Sequence, residues 1–515
     1  MTFHCLQVVT LLSVLVCANL HADPVVLNPT DYRHYVEKFN AVDDEAVVNL
    51  VPNAQSWAWM SEQIPFFNCP ARQFEETYYF RWWSFRKHIK QTEDGLVLTE
   101  FITPVSHAGK HNTIACALGH HIAEGRWLRD QRLLKEYTHF WFRGADGAPM
   151  PHFHKFSSWA AAALYGRYQV TGNAAFLVDL LHDLVADYRV WVDERGRPDG
   201  MFWQYDVKDG MEESISGGRH VENVRPTINS YMAANAAAIT QIAKLAGKTA
   251  IADDFSHKAQ QLREQVNTEL WDGEAQFFKV KSPEGKFPDA REAIGFIPWM
   301  FNLADADRSV AWLQLTDQHG FWAPWGIATA ERRHPEFRTR GTGTCEWDGA
   351  VWPFATSQTL TALANLLRNE QQEFVTKRDY FEQLLTYARS HQWDGRAYVG
   401  EYLDETTGHW LITGEKEKRS RFYNHSTFCD LVISGLVGIV PQDATMLVVD
   451  PLLPDDSWDW FCLDGVPYHF HDETIIWDRD GTRYHHGTGL IVLVDGKEVA
   501  RSATLARLEV ALAVR

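Results

Sequence analysis

Cysteine is scarce in this 515-residue chain: seven are present, and no two stand in a Cys-x-x-Cys spacing. Cys5 and Cys17 belong to the first 22 residues. There an apolar stretch from Leu6 to Leu20 ends in Leu20-His21-Ala22 ahead of Asp23-Pro24, which reads as a signal peptide cleaved after Ala22. Export to the periplasm or beyond is therefore expected. Cys69, Cys116, Cys345, Cys429 and Cys462 remain, an odd number, which disfavours a disulfide scaffold and a zinc knuckle alike. Basic residues are in the minority, with 49 Lys+Arg against 67 Asp+Glu and a net charge of −18, and no Lys/Arg-rich block occurs. That argues against a nucleic-acid or anionic-membrane surface and for a neutral or cationic partner. After the leader no apolar run approaches the length of a membrane span. No fixed-period repeat points to a solenoid. The histidine pairs His120-His121, His152/His154, His469/His471 and His485-His486 are adjacent or alternate, so neighbours point to different sides. No His-Glu-x-x-His accompanies them, and neither a metal nor a cofactor is implied.

What the chain does have is aromatic residues, 13% of the total with 21 Trp, and a long succession of helical periods. Leu177, Leu180, Leu181, Leu184, Tyr188 and Trp191 keep one helical face. Ile228, Tyr231, Met232, Ile239, Ile242 and Ala246 keep another, interrupted by Asn235 and stopped by Gly247, and Leu360, Leu363, Leu366 and Leu367 mark a third. Further helices are expected near 113–125, 156–171, 252–270, 308–316, 374–391 and 425–438. Ten to twelve short helices joined by long aromatic loops suit a toroid of helical hairpins over residues 113–440, with the loops gathered at one mouth. Residues 23–112 read as a mixed segment packing across it. After Pro441 the pattern alternates, with Met446–Val449, Thr474–Trp477 and Leu490–Val494 as strands and Asp495-Gly496 as a hairpin turn, so residues 441–515 read as a small β domain.

The segment from Trp203 to Gly217 is the most informative. Trp203, Gln204 and Tyr205 lead into Asp206, Asp209, Glu212 and Glu213, and Gly217 closes the cluster. Aromatic faces pack on the C–H faces of sugar rings, and a carboxyl held among them is partly desolvated, which raises its pKa toward the range of a proton donor near neutrality. Hydrolysing an acetal needs one protonated carboxyl at the leaving oxygen and one carboxylate across the ring to activate water, roughly 6.5–9.5 Å apart in an inverting pair. Glu212 is the first candidate acid, with Asp209, Asp206 and Glu213 as competitors. Glu401 is the candidate base, with Glu346 in reserve. Trp82, Trp83, Trp203, Gln204, Asp206, Trp347, Asp348, Trp352 and His425 are candidate substrate contacts.

Three of these stretches together resemble the six-hairpin (α/α)6 glycosidases: trehalases, glycoside hydrolase family 63 and the mannosylglycerate-hydrolase-like enzymes. Asp209-Gly210-Met211-Glu212-Glu213-Ser214 is similar to that group's Glu-Ser-Gly-x-Asp-x-Ser loop, with Glu212 where the acid Asp stands. Trp347-Asp348-Gly349-Ala350-Val351-Trp352-Pro353 resembles Trp-Arg-Gly-Pro-Val-Trp-Pro at the sugar-binding floor, with Asp348 in place of the Arg. Glu401-Tyr402-Leu403-Asp404-Glu405-Thr406-Thr407-Gly408 resembles Glu-Asn-Tyr-Asp-Pro-Glu-Thr-Gly, whose first Glu is the base. The resemblance implies a mainly α (α/α)6 toroid, and a glycoside hydrolase acting by inversion on an oligosaccharide or glycoconjugate. Two other readings stay open: a polysaccharide lyase on a similar toroid, which must neutralise a uronate, and a non-catalytic carbohydrate-binding protein.

Overall fold

Pro226 opens the longest inner helix, Pro226–Leu245, at the position where a missing N–H costs nothing. The run from Ala233 to Ala238 keeps the helix slim enough to be buried along nearly its whole length. Asn235, its polar interruption, is fully used: Oδ1 accepts from the Ala162 N–H at 3.1 Å and Nδ2 donates to the Ser158 carbonyl at 3.2 Å, which tie it to the helix Ala160–Thr171. Gly247, with φ +64°, provides the left-handed stop. The helix Pro353–Asn369 repeats the proline start, and Lys377–Ser390 opens on a capping box between Thr376 and Asp379.

In the computed structural model, which describes residues 26–341, 343–443 and 445–513, these helices form a ring. The expected leader, residues 1–22, lies outside the described residues. Leu118–Gly125, Ala160–Thr171, Pro226–Leu245, Ile297–Met300 and Pro353–Asn369 pack successively against one another, and Pro353–Asn369 meets the π-wound helix Leu431–Val437. The ring closes through Glu124, whose carboxylate accepts the N–H groups of Phe428, Cys429 and Asp430 at 2.8–3.2 Å. Outside the ring, Leu181–Arg195 and Thr249–Glu269 pack on Pro226–Leu245, and Lys377–Ser390 packs between Pro353–Asn369 and Arg72–Lys87. The protein is thus mainly α, an (α/α)6 toroid with a sheet region at its C-terminal end.

Arg72–Lys87 lies within the stretch read as a mixed N-terminal segment, yet it packs as an outer helix of the ring. Its pattern hides the helix because almost every side is buried, including charged positions: Arg81 donates to the Ser426 carbonyl at 2.6 Å and the Tyr387 hydroxyl at 3.1 Å. After it, Ile89–Thr92 and Gly95–Leu98 form a hairpin.

The C-terminal sheet is antiparallel, in the order Phe66–Asn68, Trp460–Tyr468, His471–Asp478, Gly489–Val494, Lys497–Ser502. Asp495 and Gly496 turn the last hairpin with φ of +49° and +75°, as a two-residue turn between twisted strands requires. The edge strand Phe66–Asn68 comes from the N-terminal segment, and Asp464 Oδ2 accepts the N–H groups of Val26 and Leu27 at 2.8 and 2.7 Å. A second, three-stranded sheet joins Ile439–Val440, Met446–Val449 and Leu508–Ala511.

Candidate active site

The three aromatic loops meet at one mouth of the ring. A cavity of about 310 Å³ is lined by Lys208, Gly210 and Glu212 from the first, Cys345, Trp347 and Trp352 from the second and Glu401 from the third, with Arg419, Tyr423 and His425 beside them.

The first loop is held from beneath by the carboxylates that compete with Glu212. Asp209 is buried in an ion pair with Arg225, Nε to Oδ2 2.6 Å, and also accepts from Ser157 Oγ at 2.6 Å and from the Thr227 hydroxyl. Asp206, fully buried, accepts the Val207 N–H at 2.6 Å and faces Ser214 Oγ at 3.4 Å. A Cβ on Gly217 would stand 1.9 Å from Asp206 Oδ2, so the loop closes on Asp206 only because residue 217 has no side chain. Gln204 is spent on Ser157 Oγ and the Tyr205 N–H, at 3.1 and 3.0 Å. Trp203 lies under the Arg195 guanidinium, 4.6 Å from the ring centre. Asp209, Asp206, Gln204 and Trp203 are thus absent from the cavity wall, and their polar atoms hold the loop. Glu213 pairs with Arg219 toward solvent. What projects inward is Glu212. Burial pushes its carboxyl up to about 7, with the charges of Glu401 and Asp206 adding to the effect.

The second and third loops are one unit. Val351 and Leu403 exchange backbone hydrogen bonds at 3.0 Å in both directions. Above that bridge Trp347, Trp352 and Tyr402 stack, with ring centres 4.3 and 4.6 Å apart and planes within about 21°. Trp347 and Trp352 present this stack to the cavity. Asp348 instead accepts the N–H groups of Arg340 and Gly341 at 2.6 and 3.1 Å, fully buried behind the wall. Glu346, the reserve base, is held on both oxygens, by Arg338 at 2.6 Å and by the Gly343 N–H at 2.8 Å.

Glu401 is 5% exposed and its Oε2 accepts from Arg419 Nη2 at 2.6 Å. Burial moves this carboxyl up and the guanidinium opposes the shift. Its backbone N–H donates to Ser420 Oγ at 2.8 Å. His425 lines the cavity with its ring 4.2 Å from that of Tyr423, and burial holds its pKa well below the ordinary histidine range, so the ring is neutral.

Trp82 and Trp83 lie elsewhere. Trp82 is sealed in the core, and Trp83 packs against Phe39, Phe80 and Phe422 on a separate cleft of about 460 Å³. Their faces are covered by protein, so neither meets the carboxylate cavity. Glu100, Cys116, Phe156, Arg419 and Tyr423 line the cavity without having been singled out from sequence. Arg419 sits in the charged run from Glu415 to Arg421, on the short helix Glu417–Ser420. Glu100 stands at the end of a strand-like run. Among the described residues the grouping with metal-ligand spacing is Glu93 and Asp94 at the hairpin turn with His111 beside them, none of them in the cavity wall, and Lys110 already pairs with Glu93. His121 is bound by Tyr137 and the Asn424 carbonyl at 2.9 and 2.6 Å, and His154 by Asp187 at 2.7 Å.

Comparison with known proteins follows this geometry. Among solved structures, a chain named Sialidase is 50% identical with a TM-score of 0.93; the match covers 96% of this chain and 45% of that one, so the present chain spans less than half of that relative's length. A GH78 family rhamnosidase of Bacillus sp. GL1 matches at 12% identity and a TM-score of 0.54, over 84% of this chain and 41% of its own. An alpha-L-rhamnosidase from Dictyoglumus thermophilum matches at 12% and 0.52, over 81% and 43%. These last two share the fold. Residues 110–426, more than half of the chain, match the family described as "Mannosylglycerate hydrolase MGH1-like glycoside hydrolase domain", and the chain belongs to that family.

Proposed function

We propose that the protein is an exported glycoside hydrolase that removes a sugar from the end of an oligosaccharide or glycoconjugate by inversion, with Glu212 as general acid and Glu401 as general base. The observation that carries this reading is the pair itself. Glu212 and Glu401 line one small cavity, both buried, and differ in their partners. Among the described residues no guanidinium pairs with Glu212, and burial pushes its carboxyl up to about 7, so it holds a proton near neutrality. Glu401 is hydrogen-bonded to Arg419, which favours its ionised form. Acid and base roles require one carboxyl that holds its proton and one whose charge is supported, and the Arg419 guanidinium stands on Glu401. The Trp347–Trp352–Tyr402 stack offers the sugar an aromatic floor.

In this mechanism the glycosidic oxygen takes the Glu212 proton as its bond to the anomeric carbon lengthens. Glu401 removes a proton from water attacking the opposite face, and Arg419 steadies its charge until then. The test is a panel of aryl glycosides of glucose, mannose, rhamnose, arabinose, fucose and galactose, with a sialoside added because the half-identical relative is named a sialidase. The released sugar is followed by NMR. An inverted first product is expected. Glu401→Gln should abolish turnover of every substrate, and Glu212→Gln should spare those whose leaving group needs little protonation. Retained configuration, or a Glu401→Gln protein with ordinary activity, would overturn the assignment. Unsaturated product absorbing in the ultraviolet, released from a uronate polymer, would favour a lyase instead.

A further inference from the structure

The cavity contains a third carboxyl that neither role uses. Glu100, 2% exposed, lines the wall together with Glu212 and Glu401. Its backbone is pinned on both sides. The Glu100 N–H donates to the Asn112 carbonyl at 3.1 Å, the Asn424 N–H donates to the Glu100 carbonyl at 2.9 Å, and Asn424 Nδ2 donates to the Thr99 carbonyl at 3.2 Å. Asn112 holds the far side of this turn with φ +60° while its side chain donates to the Phe101 carbonyl at 2.7 Å. Asn112 and Asn424 thus fix the backbone that brings this one acidic side chain into the mouth of the ring.

The surroundings of that side chain are apolar or weakly polar. Cys116 Sγ stands 3.8 Å from Oε2, and Tyr423, whose ring lies against Phe101 with centres 4.8 Å apart, is a hydrogen-bond partner of the carboxyl. Among the described residues no Lys or Arg pairs with Glu100; the cavity's guanidinium, Arg419, is taken by Glu401. Burial raises its proton affinity first, and the charge of Glu401 and that of Glu212 when ionised act in the same direction. Ionising it would place a further negative charge beside Glu401 in a cavity of about 310 Å³, which burial resists first and the Glu401 charge resists further. Burial moves this carboxyl well above the ordinary range, which favours the protonated form, and a protonated carboxyl has an O–H to donate.

We propose that Glu100 is a substrate-positioning residue whose carboxyl donates a hydrogen bond to a hydroxyl of the sugar ring bound between Glu212 and Glu401. The inference rests on the glycosidase reading and adds to it a polar contact that selects among sugars: the glycone must carry a hydroxyl toward Glu100. It also separates Glu100 from the acid role, because a residue that never gives up its proton can be replaced by a neutral amide.

The experiment uses the full chain and the aryl glycoside it hydrolyses best in the panel above, with the monodeoxy analogues of that glycoside. Glu100→Gln, which keeps a neutral donor of the same shape, should retain kcat/KM within roughly tenfold, whereas Glu100→Leu should lose roughly 10- to 1,000-fold. Against the wild type, one monodeoxy analogue should be worse than its parent by a similar factor. Against Glu100→Leu the same pair should be nearly equal, a convergence that a purely structural role for Glu100 would not produce. The proposal falls if no monodeoxy position shows it, or if Glu100→Gln is inactive on unactivated glycosides and rescued on activated ones, which would make Glu100 the acid. Should Glu100→Leu not fold, the comparison is made with Glu100→Gln, whose monodeoxy series must then parallel the wild type. Failure of the glycosidase reading looks different: the wild type is inactive on the whole panel, or Glu401→Gln remains active.

Discussion

The raised proton affinity of Glu212 has two measurable consequences, one kinetic and one thermodynamic. As general acid it must be protonated, so kcat/KM should fall above about pH 7, approaching tenfold per pH unit, and this limb should be missing in Glu212→Gln acting on an activated aryl glycoside. The linkage sign runs the same way. The folded-state value near 7 lies above the ordinary 4.5, so between them the folded protein binds the proton more tightly than the unfolded chain. The stability this contributes is present at low pH and lost as pH rises through 7. Glu212→Gln should therefore melt higher relative to wild type at pH 8 than at pH 5, as differential scanning calorimetry would read. The opposite order would mean that Glu212 is ionised in the folded protein. Asp209 behaves differently because its charge is matched by Arg225 with both side chains sealed from solvent. Asp209→Ala leaves a buried guanidinium unpaired and should cost about 3–5 kcal/mol in denaturant unfolding. An Asp209→Ala protein as stable as wild type would show that the pair does not anchor the loop.

At the scale of elements, the site depends on how the ring is closed. Glu124, at the end of Leu118–Gly125, accepts the N–H groups of Phe428, Cys429 and Asp430 ahead of the helix Leu431–Val437. Those are the amides that a helix start leaves without partners. The same junction carries the stretch from Tyr423 to Ser426, fixed by His121 on the Asn424 carbonyl and Arg81 on the Ser426 carbonyl. Glu124→Gln presents a donor where donors already converge and should cost about 2–4 kcal/mol. Hydrogen exchange should show lost protection at residues 428–430 before any change on the opposite side of the ring. Unchanged protection there would mean that the closure is made by packing alone. The two-loop unit is built by the Val351–Leu403 bridge and the aromatic stack above it, which is how residues 54 apart in the chain, Trp347 and Glu401, come to share one wall.

For the molecule as a whole, the family match ends at residue 426, but the folding unit does not. The strand Trp460–Tyr468 is sandwiched between Phe66–Asn68 and His471–Asp478. Phe461, Cys462, Leu463, Ile475 and Ile476 are all fully buried, and Asp464 clasps the start of the described chain. A fragment ending at residue 440 would expose this apolar surface and leave Phe66–Asn68 as an unpaired edge. It should elute as aggregate in size-exclusion chromatography and show no cooperative melting transition. A monomeric, cooperatively melting fragment would make the sheet a separable domain.

The sequence by itself determined the elements whose cause is local. Pro226, Gly247, Pro353 and Asp495-Gly496 mark their own boundaries because a proline ring, a left-handed glycine and a primed turn act on a few neighbouring residues. Periodicity gave the helices with one buried face. It failed for Arg72–Lys87, which is buried on nearly all sides and so has no polar stripe to alternate with. In the site, the aromatic and acidic loops were legible as clusters, and Glu212 and Glu401 are the candidates within them that line one cavity. Which carboxylate of a cluster faces inward was decided only in three dimensions. Asp206, Asp209, Asp348 and Glu346 have the same chemistry as Glu212, and partners distant in sequence or across a turn, such as Ser157, Arg225 and Arg338, turn them into the protein instead. Glu100 and Arg419 reach the cavity for the same reason. Their positions are set by hydrogen bonds to residues hundreds apart or by the folding back of a charged run, and nothing in the local pattern records where such a fold will bring them.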